Sequence, residues 1–465
     1  MNSLLTQLGN LPKMKEIKQA IQEKKSPITI SGLSDVGKIR ILGQCLPDKE
    51  KVNIIVTYNE IQAKKIIEDL AYFIPKEQIS FFPKKEIVTY DYLAESKELP
   101  YERMDTLNRM YAGSVKMVVT TIEALMQKMI PKDVLYKEVL SFQMSSHYSL
   151  TTIKEKLVAL GYERNELIEG RGQFSIRGGI VDIAISEKTG VRIEFWGEEV
   201  DSIREFSISS QRSTKMLEQI TIYPAHEFIL EKPITQVIEA IQKPFVEEKL
   251  SDKDITKKQL QAYIAHIQEN KQEDIEWIQN GNYISKIDKY LHAFYTKPAS
   301  FLEYVDKHTM VWIDESTKVK QRQSSILIEN HNLIKALLEK EKMIPEALLE
   351  IQPCEIEDLG KQTVFLEKQD IGIAKSSICQ FHFQERDVHY YKSEMELLLE
   401  DLQKWLNEKK KITILGGKEE DARKFSALLH EKEIPNQFVK TLEQEQNKEL
   451  MPGILVTTRQ IIHRI

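Results

Sequence analysis

The sequence predicts an α/β protein of several domains, headed by a doubly wound parallel sheet. Three observations predict it. From residue 28, β-branched or aromatic runs alternate with amphipathic stretches. A dense series of short alternating runs follows residue 139, and a second strand-and-helix series returns after residue 390. At 465 residues the chain also exceeds the roughly 250 to 300 residues at which one hydrophobic core stops growing, so three or four domains are expected.

Residues 1–138 form the first part of the leading domain. "ITIS", "VNIIVTY", "QISFFP" and "VKMVVTT" read as strands, with "EIQAKKIIEDLAYF" and "PYERMDTLNRMYAG" as helices between them. Strands alternating with helices imply a parallel sheet covered on both faces. Residues 139–228 change texture. One helix, "LTTIKEKLVALGY", precedes the strand-like runs "GQFSIRGG", "GIVDIAIS", "VRIEFWG", "VDSIREFSI" and "EQITIYPA", with Gly178 and Gly179, "SEKTG" and "GEE" as hairpin turns. This is a small antiparallel α+β domain. Residues 229–354 turn helical again, their charged runs read as solvated faces around one apolar run, "HTMVWIDEST". After the breaker "EIQPCEIEDLG", a helix, a strand, a Gly-Gly turn, a helix and the strand "GILVTT" place a further small α/β domain at residues 355–465.

The net charge of -6 and a pI near 6.0 exclude a surface that is basic throughout, as wrapping nucleic acid would require. There is no run of about 18 apolar residues, and the start "MNSLLTQLGNLPKMKEIKQA" has neither an apolar core nor a small-residue cleavage site, so a cytoplasmic protein without membrane contact is expected. Cys45, Cys354 and Cys379 are too scattered for a disulfide framework or a zinc cluster, and no H-x-x-x-H pair exists. No metal site is expected.

The stretch "SGLSDVGKIR" nearly spells a phosphate-binding loop. Gly32, Gly37 and Lys38 satisfy G-x-x-x-x-G-K, but Ile39 stands where a Ser or Thr hydroxyl would ligate magnesium. Asp35 adds a carboxylate inside a loop built to attract anions. The strand before and the apolar helix after have the right context, so the reading is a degenerate nucleotide loop. "VWIDEST" carries Asp314 and Glu315 after an apolar strand, the form of the acidic motif that holds a magnesium-bound water in NTPases; it too is read as inherited without catalysis. "GLSDV" fails as a nucleophile elbow, because Val36 replaces the closing Gly and no His is placed as a base. No catalytic residue is assigned.

The richest surface signal lies at residues 171–212. Arg177, Arg192 and Arg204 fall on neighbouring strand-like runs, and alternation puts Arg192, Glu194 and Trp196 on one face and Val191, Ile193 and Phe195 on the other. Phe195 is expected in the core and Trp196 at the surface. Arginine beside exposed tryptophan is the mixture enriched at protein-binding hot spots; the plainer alternative is a solvated face with scattered ion pairs.

"RGQFSIRGGIVDIAISEKTGVRIEFWGEEVDSIREFSISSQRS" followed by "ITIYPAHEF" resembles the small domain shared by the bacterial excision-repair protein UvrB and the transcription-repair coupling factor (Mfd) family. "VTYDYLAESKELPYERMDTLNRM" and "VHYYKSEMELLLEDLQKWLNEKKKITILGG" are similar to the coupling factor's equivalents. UvrB keeps an intact loop and inserts a long aromatic hairpin after its counterpart of "YDY"; here only "LAESKELPYER" follows Tyr92. The resemblance therefore favours the coupling-factor family. It implies a RecA-like, P-loop-type domain split by the small UvrA-binding domain. It also implies that the chain is the N-terminal portion of a longer protein whose ATP- and magnesium-dependent translocase acts on double-stranded DNA and stalled RNA polymerase. Arg177 and Arg192 match basic positions of the family's UvrA-binding surface, and Trp196 falls where the family usually has Phe. On this reading the segment binds UvrA, needs no cofactor of its own and mimics UvrB; the rivals are an active ATP-dependent UvrB-like helicase and a plain scaffold.

Overall fold

The computed structural model describes residues 12–45, 52–71, 73–87, 98–243, 257–280, 286–307, 309–369, 377–385, 391, 394–440 and 453–457. Of the segment after Tyr92 that bears on the aromatic hairpin, residues 93–97 lie outside these residues and the rest opens the helix Glu98–Tyr111; the terminal "RQIIHRI" also lies outside.

Seven short strands build the principal sheet: β1 (Ile28–Ser31), β2 (Asn53–Thr57), β3 (Ile79–Phe82), β4 (Met117–Thr121), β5 (Met310–Asp314), β6 (Gln362–Leu366) and β7 (Cys379–His382). Their order is β7-β1-β6-β5-β2-β4-β3, and every neighbouring pair is parallel. β1, β2, β3, β4 and β5 are buried along their whole length, as expected of strands covered on both faces. Helices Asp35–Cys45 and Glu60–Leu70 follow β1 and β2; the helix Ser316–Glu339 follows β5. Trp312, fully buried in β5, anchors one face of the sheet with Ile30, Ile55 and Val364.

The chain leaves this sheet after β4 and returns only at β5, so the parallel domain is split. Between lies a six-stranded sheet, antiparallel except for one short parallel pair, whose main strands are Gln173–Arg177, Ile180–Ala184, Thr189–Trp196, Glu199–Ser207 and Ser213–Leu217. The helix Leu150–Ala159 precedes it. The fold is thus mixed α/β, a split RecA-like parallel domain with a small α+β insertion.

The breaker around residues 351–360 suggests a domain boundary at 355, but the pairing differs. β6 and β7 belong to the principal sheet, where β6 lies between β1 and β5. The separate C-terminal unit comes after them: helix Met395–Asn407, strand Lys411–Leu415, helix Glu419–Glu431, and strands Asn436–Val439 and Gly453–Thr457 in a three-stranded parallel sheet. A four- or five-residue strand carries no mark of which sheet it joins, and parallel partners lie far apart in sequence. Among the described residues no helix is long and apolar enough to cross a membrane.

Candidate functional site

Two places gather the residues singled out by sequence. The first is the C-terminal edge of the principal sheet, where ligands bind in open α/β folds. Helix Asp35–Cys45 starts at the fourth position of the motif, because Ser34 caps it: Gly37 N donates to Ser34 Oγ at 2.9 Å. The later part of the would-be phosphate-cradling loop, Asp35 to Gly37, instead forms a helical turn. The sequence predicts an apolar helix after the loop, and the Ser34 cap that starts it at Asp35 is visible only in the structure.

Lys38 is 4% exposed and points into the sheet edge rather than out to solvent. Its Nζ donates to Asp314 Oδ1 at 2.7 Å and also to Glu315 Oε1. Asp314 Oδ2 accepts from Thr57 Oγ1 at 3.0 Å and Gln62 Nε2 at 3.1 Å, and Glu315 Oε1 from the Lys368 amide at 3.0 Å. The structure therefore brings Lys38, Asp314 and Glu315 together, as their motifs suggest, but as a mutually satisfied cluster. Burial pulls the Lys38 ammonium down, and the two carboxylates more than offset it, so its pKa lies above the ordinary lysine value. Glu315 itself sits at φ 59°, a left-handed conformation uncommon for a residue with a side chain. Among Asp35, Lys38, Gln62, Lys65 and Asp314 there is room for about one water molecule. Ile39 is buried in apolar packing and offers no metal ligand.

Asp35, a fault in the motif on charge grounds, is compensated. Lys65 and Lys368 bind its two oxygens at 2.8 and 2.9 Å. Partial burial raises its pKa, but the two ammonium groups overcome this and hold it at about 2. Glu385 is a residue that sequence reading missed: its carboxylate accepts from Ser34 N at 3.1 Å and Ser34 Oγ at 3.0 Å, and pairs with Arg40. Nothing in its sequence context connects it to a loop some 350 residues upstream.

Glu367, just after β6, is also new. It is 2% exposed, accepts from Ser316 N at 3.0 Å and from Ser316 Oγ, and among the described residues leaves Oε2 without a hydrogen-bond partner. Desolvation pushes it up to about 7, against the two Ser316 bonds, and the Glu315 charge adds to the rise. Its folded pKa is raised, so the folded state binds the proton more tightly than the unfolded chain. The stability from this group is present below about pH 4.5 and is lost as pH rises through 7. His226, whose pKa burial lowers, tilts stability the other way. Glu367→Gln is therefore expected to remove a downward slope worth on the order of 3 kcal/mol between pH 5 and 8; wild-type and variant melting curves across that range would check it, and parallel curves would refute it.

The second place is the exposed face of the small domain. Cross-strand pairing sets Ser175, Asp182, Arg192, Arg204 and Met216 in one row over five strands. Side chains in such a row share a face. Asp182, 1% exposed, organises it: Arg192 binds it through Nε at 2.7 Å and Nη2 at 2.9 Å, and Arg177 Nη2 binds it at 2.9 Å. Arg204, opposite Arg192, pairs with Glu194 and lies 3.1 Å from Ser202 Oγ, so the adjacent guanidiniums are kept apart by carboxylates. Arg192 also lies 5.1 Å over the Phe206 ring. Phe195 is 9% exposed and Trp196 84%, the division that alternation calls for. Trp196 closes its strand at the hairpin turn whose Gly197 has φ +65°. Sequence reading missed Asp182 and Met216; a lone aspartate inside the apolar "IVDIA" was the available signal for the first.

The UvrB interaction domain family model matches residues 140–228, the segment that contains this row. The transcription-repair-coupling factor of Bacillus subtilis (strain 168) is 26% identical over 439 residues, 93% of this chain and 37% of that relative. That of Staphylococcus aureus (strain Mu50 / ATCC 700699) is 23% identical over 411 residues, 88% of this chain and 34% of that relative. This chain is similar to the N-terminal region of transcription-repair-coupling factors. It spans little more than a third of the length of those coupling factors. Among the described residues no group of three or more His, Cys, Asp or Glu is placed to hold a metal ion.

Proposed function

We propose that this chain is a non-hydrolysing, UvrB-like adaptor of the bacterial cytoplasm that presents the Arg177, Arg192, Trp196 and Arg204 face to UvrA. Within a full-length coupling factor it would recruit UvrA to lesion-stalled RNA polymerase in nucleotide excision repair. The ATP- and magnesium-driven translocase on double-stranded DNA would lie outside this segment, which needs no cofactor of its own.

The observation that carries the reading is Trp196, exposed on the same strand and face as Arg192, which Asp182 holds in place together with Arg177, in the segment matching the UvrB interaction domain. A rigid guanidinium loses less freedom on docking than a free one, and a large exposed aromatic beside it gives apolar area to bury. The internal pairing of Lys38 with Asp314 and Glu315 supports the absence of hydrolysis: with Ile39 next to it, no residue of the motif is left to hold magnesium or reach a terminal phosphate.

An Arg177→Ala, Trp196→Ala double variant is expected to weaken UvrA capture by about 2 to 4 kcal/mol, roughly 30- to 1,000-fold. Titration of labelled UvrA measures it; unchanged affinity would show that this face is not the contact. Phosphate release from ATP by the chain alone, dependent on magnesium, would replace the adaptor with an active UvrB-like helicase.

A further inference from the structure

We propose that Glu385 is the resident ligand of the degenerate loop: a carboxylate of this same chain fills the oxyanion cradle at the head of helix Asp35–Cys45 and keeps phosphates out.

The cradle has three donors, and Glu385 engages all of them. Ser34 contributes its amide and its hydroxyl, both to Oε2, and Arg40 contributes a guanidinium nitrogen to Oε1. A carboxylate held by a backbone N–H, a hydroxyl and an arginine at a helix N-terminus has the charge and hydrogen-bonding pattern that these elements offer a phosphate group.

The two motif glycines supply the independent observation. In a working loop they let the backbone approach a nucleotide; here each admits a piece of the chain's own polypeptide. β7 lies parallel to β1, with His382 opposite Ser31. Beyond it the chain keeps to the same track: Phe383 N donates to Ser31 O at 2.8 Å, and Glu385 N to Gly32 O at 2.9 Å. A Cβ on Gly32, already at φ +71°, would lie 1.7 Å from the Phe383 carbonyl oxygen; one on Gly37 would lie 1.6 Å from Glu385 Oε2. The first meets backbone and cannot be relieved; the second meets the end of a side chain, so a Cβ at position 37 would push the Glu385 carboxylate out of the cradle. The glycines are thus explained by residues 382–385, with no nucleotide invoked. Their presence in an otherwise broken motif then follows from packing against a chain segment that sits where a ligand would.

The lysine does not compete for this anion, because Asp314 and Glu315 hold it. The loop has accordingly divided into two internally paired halves, Lys38 with its acids and Ser34 with Arg40 around Glu385. The ligand class that the second half would accept, were Glu385 removed, is a small oxyanion without magnesium.

Inorganic pyrophosphate is the probe. Calorimetric titration at low ionic strength without magnesium, on the whole 465-residue chain, is expected to show no saturable binding to the parent. Glu385→Ala should bind at least about 10- to 100-fold more tightly, as expected for gain of charge-assisted bonds, and the added Arg40→Gln should abolish the gain. If Glu385→Ala melts cooperatively but takes up no pyrophosphate, or if the parent binds equally well, the proposal fails. Should Glu385→Ala lose its cooperative transition, Glu385→Gln, of the same shape, stands under the same criterion with a smaller expected gain. Neither readout involves UvrA, so the result is independent of the adaptor reading.

Discussion

Lys38→Met is expected to destabilise the principal sheet by about 3 to 5 kcal/mol, the usual penalty for removing one partner of a buried ion pair. The expectation differs from that for a working NTPase, where the same change strikes turnover and the fold survives. Here Lys38 is the cation within 2.7 Å of Asp314 and also pairs with Glu315, and these carboxylates are 2% and 6% exposed. Thr57 and Gln62 satisfy Asp314 in part but bring no charge. Hydrogen exchange at the amides of β5 reads the loss locally, without assuming that a chain of several domains unfolds in one step. The triple variant Lys38→Met, Asp314→Asn, Glu315→Gln removes the stranded charges together and should recover most of the loss. Unchanged β5 protection in the single variant would mean that the lysine is not structural.

The second large effect lies where the small domain hands the chain back. Arg103, on helix Glu98–Tyr111, binds Glu227 through Nε at 2.6 Å and Nη2 at 2.8 Å, and donates Nη1 to the Pro83 carbonyl at 2.6 Å. Its guanidinium also lies 4.2 Å over the Phe82 ring. Burial raises the Glu227 carboxyl, but the paired arginine more than reverses this and holds it below the ordinary value. Arg103→Ala should therefore cost about 3 to 5 kcal/mol. Arg103→Lys should rescue little, since a single ammonium cannot serve two carboxylate oxygens, a carbonyl and a ring face together. Lowering the pH should narrow the gap between parent and variant, because the stranded Glu227 is neutralised by protonation. Chemical denaturation followed at residues 98–111 and 222–229 checks both; a lysine variant as stable as the parent would refute the bidentate account.

Much of this architecture could be read from residues alone. The apolar runs of β1, β2, β4 and β5 are short, β-branched and uninterrupted, a pattern that only strands covered on both faces need. The alternation in "VRIEFW" likewise separates Phe195 from Trp196 without any coordinates. What stayed hidden depends on distance along the chain. β7, "CQFH", alternates Cys and Phe with Gln and His, but over only four residues, and nothing in it names β1 as the strand it pairs with. Glu385 reaches the degenerate loop through that same pairing and Glu367 through the pairing of β6 with β1, and Asp182 becomes an organiser only once two arginines converge on it. Local patterns showed which residues could meet, and the sheet order decided which did.

β1 lies between β6 and β7, so both its hydrogen-bonding edges are served by polypeptide more than 330 residues downstream. During synthesis β1 leaves the ribosome before the other strands of its sheet and therefore waits, bare on both sides, until almost the entire split domain has emerged. Such long-range closure is slow and leaves sticky edges in the interim. An expression fragment truncated before β7 would leave one edge of β1 bare for good, and one truncated before β6 would leave both.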